Sequence, residues 1–328
     1  MYGKLKRIWN PEFYHGDGMK NNFFEGWYFK SVSDKHDNIL AIIPGIFIDK
    51  NKIKSHAFIQ FLDGKTGKSH FLNFKISEFS YNSNNFDIGI GDSKFSLNGI
   101  EINIKRKGFE AYGSLTFKKI VPWPISFLSP GAMGWYSFVP FLQCNHGVLS
   151  FNHSVTGKVL INNELFIFTK DKGYIEKDWG KSFPSSYVWM QSNSFANPTV
   201  SLCLSVAKIP WLLSSFTGYL GALFVEDKLY RFTTYTGAKI REFTIDESVI
   251  KLMLEDKNYI LEVVSKRSHG GELLAPDSKE MGRRIVESLN SEIKIKLTKK
   301  IRNNLRVILE DIGRNAGLEI VGNVKELI

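Results

Sequence analysis

Cysteine is scarce in this chain, two in 328 residues, Cys144 and Cys203. No pair has metal-ligand spacing, which argues against a structural zinc site, and two thiols cannot form a disulfide-rich scaffold. Both lie in apolar, strand-like stretches and are expected as buried thiols of a reducing compartment. Long apolar runs are also missing. The longest uncharged one, Ile209 to Val225, is broken by Pro210, Ser214, Ser215, Thr217, Gly218 and Gly221, so no membrane-spanning helix is expected. Met1 to Asn22 has no apolar h-region of a secretory signal, and a cytoplasmic location is the expectation. The sequence contains no G-x-G-x-x-G opening a helix, no G-x-x-x-x-G-K-[ST], no G-x-S-x-G and no H-E-x-x-H. Dinucleotide, P-loop, α/β-hydrolase and zincin chemistry are therefore disfavoured, and no metal or cofactor is expected.

Negative charge is in deficit: 43 Lys and Arg face 33 Asp and Glu, a net charge of +10. The basic residues do not cluster beyond short runs such as Lys4–Arg7, Lys50–Lys54 and Lys105–Lys107, and no nucleic-acid motif accompanies them. The expectation is no nucleic-acid partner, and a diffuse positive surface that favours peripheral contact with anionic membranes.

What the chain has in quantity is aromatic residues: 26 Phe, 12 Tyr and 7 Trp, 14% of the whole. With 43% hydrophobic residues, they can fill β cores or line an apolar cavity. Alternating segments separated by turn signals predict strands at Phe23–Ser33, Ile39–Ile48, Ile53–Leu62 and Ser69–Ile76, followed by shorter ones to Phe117. Residues 120–144 form a long aromatic, Pro- and Gly-containing loop, predicted to be functional or to plug one end of a barrel. A strand from His146 to Leu160 turns at Asn162-Asn163, and β patterning then restarts. One helix is expected, over about Lys279–Ser288, behind the start signal Pro276-Asp277-Ser278. The sum is an all-β chain of two tandem meanders, residues 1–170 and 171–328. Asn21–Tyr28 and Gly173–Gly180, each placing an acid shortly before Trp, suggest a duplicated opening.

Alternation sorts the candidate residues by face. Phe23, Glu25, Trp27 and Phe29 share one face of the first strand. Buried without a cation, Glu25 would stay protonated; the other reading pairs it with a Lys or Arg inside the barrel. Tyr174, Glu176 and Asp178 share a face, with Ile175, Lys177 and Trp179 opposite. Two neighbouring carboxyls resist double ionisation, so one can serve as a neutral-pH acid; the alternative is a solvated face beside Lys177 and Lys181. Tyr187, Trp189 and Gln191 align on a later strand, as do His56, Phe58 and Gln60 on an earlier one. His146 and His153 point to opposite faces, and His146, next to the aromatic loop, is the better site candidate. Acids and aromatics in an apolar cavity suit a lipid binder or acid catalysis on a polyene-like substrate, whose cations aromatic faces can stabilise.

Phe24–Lys30, Gly134–Pro140, Cys144–Ser150, Tyr174–Gly180, Phe183-Pro184, Tyr187–Ser192, Phe232–Ala238 and Arg283–Leu289 resemble, in order, the motifs of the tocopherol cyclase family. The resemblance implies two tandem lipocalin-like β-barrel domains and relatives among carotenoid hydratases and lipocalin-like Diels–Alderases. It implies a cofactor-independent intramolecular reaction on a hydrophobic small molecule: an alkene of a prenylated quinol is protonated and its phenol oxygen closes a chroman ring. On these motifs the proton donor is expected among Glu25, Glu176 and Asp178. Trp27, Trp179 and Trp189 are expected as cation-stabilising walls, with Tyr28, His56, Trp135, Tyr136, His146 and Gln191 as further substrate contacts. The richness in Lys, Asn and Ile points to a bacterial genome.

Overall fold

The computed structural model describes residues 6–19, 22–35, 37–302 and 304–327. It is almost entirely β and contains two large antiparallel sheets. The first holds β1 (Phe23–Ser33), β2 (Asn38–Ile48), β3 (His56–Asp63), β4 (Ser69–Lys75), β5 (Phe79–Tyr81), β6 (Asp87–Ile90), β7 (Ser93–Ser96), β8 (Gly99–Arg106), β9 (Phe109–Lys118), β10 (Cys144–Ile161) and β11 (Glu164–Gly180). Their order is β4-β3-β2-β1-β11-β10-β9-β8-β7-β6-β5.

The second sheet holds β12 (Tyr187–Ser192), β13 (Ser194–Phe195), β14 (Ser201–Trp211), β15 (Ser214–Val225), β16 (Lys228–Thr233), β17 (Lys239–Asp246), β18 (Val249–Glu255), β19 (Tyr259–Lys266), β20 (Gly271–Pro276), β21 (Met281–Ile301) and β22 (Asn304–Val321). Its main path is β16-β15-β14-β12-β22-β21-β19-β18-β17, with β13 on β22 and β20 on β21.

Each sheet wraps its own core. In the first, the inward residues of β1, including Trp27 and Phe29, pack with Ile42, Phe61, Phe95, Phe117 and Phe168. In the second, Met190, Leu204, Phe232, Leu254, Ile295 and Leu318 do the same. Burying one such side chain is worth about 1.5–3 kcal/mol, so these clusters carry the fold.

The chain divides into two compact units, Met1–Phe183 with Leu273–Arg284, and Pro184–Glu272 with Ile285–Ile328. A boundary at 170/171 would fall inside β11, because that strand runs through Gly180 to close against β1. The two opening signatures are likewise not the starts of two repeats: they are cross-strand partners in one sheet, with Glu25 opposite Trp179 and Trp27 opposite Lys177.

The expected helix at Lys279–Ser288 is a correction. This segment is the turn of the β20–β21 hairpin and the start of the long strand β21. Asp277 Oδ1 accepts the backbone N–H groups of Lys279 and Glu280 at 2.6 and 2.8 Å, as a helix cap would, but here it closes a β-turn. Beyond it Ile285, Glu287, Leu289, Ser291, Ile293, Ile295 and Leu297 are buried at period two.

The aromatic loop 120–143 contains only a short 3₁₀ helix, Gly134–Phe138. Trp123 is buried and stacks on Phe151, whereas Phe127, Leu128, Trp135, Phe138 and Phe141 are exposed. The loop is thus anchored to the sheet at one ring but does not bury its apolar load as a plug would. The apolar run after Ile209 folds as the β14–β15 hairpin, with Leu212 and Leu213 exposed at its tip.

Candidate functional site

The β1–β11 pair presents a polar cluster on each face. On the core face, Glu25, Trp27, Lys177 and Trp179 meet in adjoining register positions. Glu25 is fully buried and forms an ion pair with the equally buried Lys177. Glu25 also accepts the backbone N–H of His15 (2.9 Å) and of Gly16 (3.1 Å). Lys177 Nζ donates to the carbonyls of Pro11 (2.8 Å) and Phe13 and to His15 Nδ1 (2.9 Å), and lies 4.9 and 4.8 Å from the Trp27 and Trp179 rings. Trp27 Nε1 donates to the Glu12 carbonyl at 3.1 Å, and His15 stacks on Trp179 at 4.5 Å.

The charges settle accordingly. Burial pushes the Glu25 carboxyl up, but the Lys177 ammonium beside it outweighs this and holds Glu25 below its ordinary range. Burial brings Lys177 down to about 8, with Glu25 opposing. Burial and the Lys177 charge lower His15, so its imidazole is neutral, with Nε2 donating to the Arg7 carbonyl at 3.2 Å. Glu25 is thus internally paired with Lys177, the second of the two arrangements that the sequence leaves open for it. The cluster staples the segment 11–16 into the sheet.

The opposite face carries Tyr28, Lys30, Tyr174, Glu176, Asp178 and His146. Register sets them side by side: Tyr28 faces Glu176, Lys30 faces Tyr174, and Asp178 faces His146 on β10. Tyr174 donates its hydroxyl proton to Glu176 Oε2 at 2.7 Å, deep in the protein. His146 Nδ1 lies 3.0 Å from Asp178 Oδ1, and Nε2 lies 3.7 Å from Glu176 Oε2. The imidazole thus stands between two carboxyl groups. Asp178 keeps 24% of its side chain open, whereas Glu176 keeps 6%. Burial and the Asp178 charge push the Cys144 thiol well up, so it stays protonated.

An apolar floor adjoins this group. Following register across five strands gives the row His146, Asp178, Gly26, Gly45 and Phe58. At Gly45 a Cβ would lie 2.3 Å from Phe58 Cζ and 2.7 Å from the Glu25 carbonyl oxygen, so only glycine lets the Phe58 ring lie across the sheet there. Phe24, Phe47 and Met281 cluster with Phe58, and Phe183 meets Phe24 edge-on at 5.2 Å. The β20–β21 turn covers part of this face: the Gln60 amide clasps Leu274, donating to its carbonyl and accepting from its N–H, both at 2.9 Å.

The expected site residues therefore fall into five places. Glu176, Asp178, His146 and Tyr28 come together on one face. Glu25, Trp27 and Trp179 share the core-side cluster. His56 sits on the apolar side of the first face, between the Phe47, Phe58 and Phe71 rings, where burial lowers its basicity. Trp135 and Tyr136 stack at 4.1 Å on the 3₁₀ helix of the aromatic loop. Trp189 and Gln191 lie buried on β12 in the second unit, where Gly317 leaves room for the Trp189 ring and Tyr187 donates to Glu319 at 2.5 Å. Sequence reasoning missed His15 and the 273–284 turn. It placed Lys177 correctly opposite Glu176 but gave it no partner.

A family model described as tocopherol cyclase-like matches residues 97–322. "Probable tocopherol cyclase, chloroplastic" of Oryza sativa subsp. japonica is 23% identical over 94% of this chain and 77% of its own length. "Tocopherol cyclase, chloroplastic" of Zea mays is 21% identical over the same shares. Among solved structures, a protein assigned as AttH from Nitrosomonas europaea superposes with a TM-score of 0.55 at 13% identity, covering 94% of both chains. The protein CghA gives 0.50 at 11%, covering 92% of this chain and 89% of that one. At such identities these two likenesses speak to the fold, which is the two-domain lipocalin-like β architecture.

Proposed function

The chain belongs to the tocopherol cyclase-like family, and on that premise we propose that it is a cofactor-independent acid catalyst that cyclises a prenylated quinol. The observation that carries this reading is the His146 imidazole held between Asp178 and Glu176 beside an apolar floor. A proton held by this group passes to an alkene carbon of the bound isoprenoid. The phenol oxygen then attacks the tertiary cation, forming the C–O bond of a chroman, and the phenol proton returns to the group. Atoms balance without oxidant or reductant, and substrate and product have equal mass.

Aromatic rings support such a reaction because a cation is attracted to their faces. Tyr28 stands at Glu176, and Phe58 reaches over Gly45 toward Asp178. Asp178 is the member of the group open enough to reach a ligand. The same openness favours a second reading, in which water rather than a phenol traps the cation and the product gains one water. Incubating the pure protein with a dimethyl-phytyl-benzoquinol and with shorter-chain quinols tests both. A chroman of unchanged mass supports the first, a hydrated product the second, and bound but unaltered quinol would overturn both in favour of a non-catalytic binder.

A further inference from the structure

A pocket of about 620 Å³ opens in the first unit where the β2–β3 turn, the end of β11 and the β20–β21 turn converge. Its lining includes Lys50, Lys54, Lys181 and Lys279 against a single carboxylate, Asp49. Lys54 is ion-paired with Glu280. Among the described residues, the ammonium groups of Lys50, Lys181 and Lys279 make no ion pair.

The walls are held in place by other atoms. Asn22 ties the two turns together, donating to the Ser278 carbonyl at 2.6 Å and accepting from the Lys50 N–H at 2.7 Å. Asp49 Oδ2 accepts from the Lys54 N–H at 3.3 Å, and the Ser55 hydroxyl accepts from the Asp49 N–H at 2.9 Å. Four like charges around one opening repel one another, and with Asp49 the one carboxylate in the lining and Asp277 near Lys54, cationic groups still outnumber the acids there. An anion with several acceptor oxygens satisfies them together, since each ammonium brings three donors.

We infer that this pocket binds the phosphate group of a phosphate-bearing ligand. Its rim carries Ile53, 85% exposed and flanked in the chain by Lys52 and Lys54. An apolar tip on a basic turn fits a phosphate carried on a lipid headgroup, with the isoleucine entering the acyl boundary and the lysines meeting the headgroups. A soluble phosphate ester offers the same chemistry without the apolar contact. The site is separate from the His146 group, so it stands or falls independently of the cyclisation.

The test uses the full chain and two probes at low salt: inorganic pyrophosphate by calorimetry, and co-sedimentation with phosphatidylcholine vesicles with and without phosphatidic acid. The wild type should bind at least one anionic probe, and not vesicles of phosphatidylcholine alone. Combining Lys50→Gln, Lys181→Gln and Lys279→Gln should weaken that binding by roughly a factor of ten or more, the scale of several basic-residue contacts. Lys105→Gln with Lys107→Gln should leave it unchanged, and circular dichroism checks that both variants fold. Loss of vesicle binding but not pyrophosphate binding in Ile53→Ser identifies the lipid as the source of the phosphate. Equal binding by Ile53→Ser in both arms identifies a soluble ester. Failure of the wild type to bind either anionic probe, or undiminished binding by the triple variant, overturns the inference.

Discussion

His146 and Asp178 are direct cross-strand partners, and the His146 Nδ1 atom lies 3.0 Å from the Asp178 carboxylate while its other ring nitrogen looks toward Glu176. This geometry lets one imidazole connect a partly open carboxyl to a buried one. Replacing either partner with an amide keeps the shape and removes the proton exchange. Asp178→Asn and His146→Gln should each lower kcat for quinol cyclisation by about 10²–10⁴, the usual worth of a general acid. Their melting temperatures should stay near the wild-type value. Unchanged turnover in both would remove this group as the acid.

The Glu25–Lys177 pair should act on stability. Lys177→Met leaves a carboxylate buried with only backbone N–H groups and the neutral His15 for company. Breaking a buried pair from one side costs about 3–5 kcal/mol. For a unit of this size that lowers Tm by roughly 6–20 °C. Adding Glu25→Gln to Lys177→Met should recover part of the loss, because the stranded charge is gone. Thermal denaturation of the three proteins checks this, and a Lys177→Met protein as stable as wild type would refute it.

His153 gives the acid limb of stability. It is buried, with Nδ1 3.0 Å from the Ser150 hydroxyl and its ring 4.7 Å from that of Phe117, and burial lowers it from 6.5 to about 3. Between those values the unfolded chain binds a proton that the folded chain refuses. Stability therefore falls as pH falls through this window, by about 1.4 kcal/mol per pH unit from this group. His15, lowered by burial and Lys177, works in the same direction, and Glu25 adds to the loss below the ordinary carboxylate range. His153→Gln should remove one proton's share of the slope in urea unfolding measured across the acid range. An identical slope would show that His153 is protonated in the folded state.

The Gln60 clasp should hold the β20–β21 turn on the apolar face. Gln60→Ala leaves the N–H and C=O of Leu274 without their partner, a cost of about 1–3 kcal/mol. Hydrogen exchange over residues 273–284 should quicken while β18 keeps its protection. Equal exchange in both proteins would mean that the other ties of the turn, Asn22 to Ser278, Lys54 to Glu280 and the packing of Met281, secure it without the clasp.

Much of the first sheet was legible because its strands are aromatic- and β-branched-rich runs that end at polar turns: β1 runs over the expected residues, Phe23–Ser33. Parity along β11 also separated Glu176 and Asp178 from Lys177 and Trp179. Sequence could not show that Glu25 and Lys177 are partners, since they are far apart in the chain and meet only through register. The same holds for His146 and Asp178. The repeated acid-then-Trp signature looked like duplication, but register puts only Trp27 and Trp179 on the same face, with Glu25 on the core side and Glu176 and Asp178 on the other. The misread helix had a local cause, an Asp whose side chain caps a turn in either structure. Gln60 was seen to share a face with His56, but its clasp on Leu274 requires a hairpin from the distant end of the chain.

The most direct test of the central claim is turnover in deuterium oxide. If the His146–Asp178–Glu176 group protonates the alkene, the chroman product gains one deuterium at the carbon next to the new ether carbon. Asp178→Asn should form that product about 10²–10⁴ times more slowly while still binding the quinol. A chroman formed without deuterium, or formed at the wild-type rate by Asp178→Asn, would contradict the account.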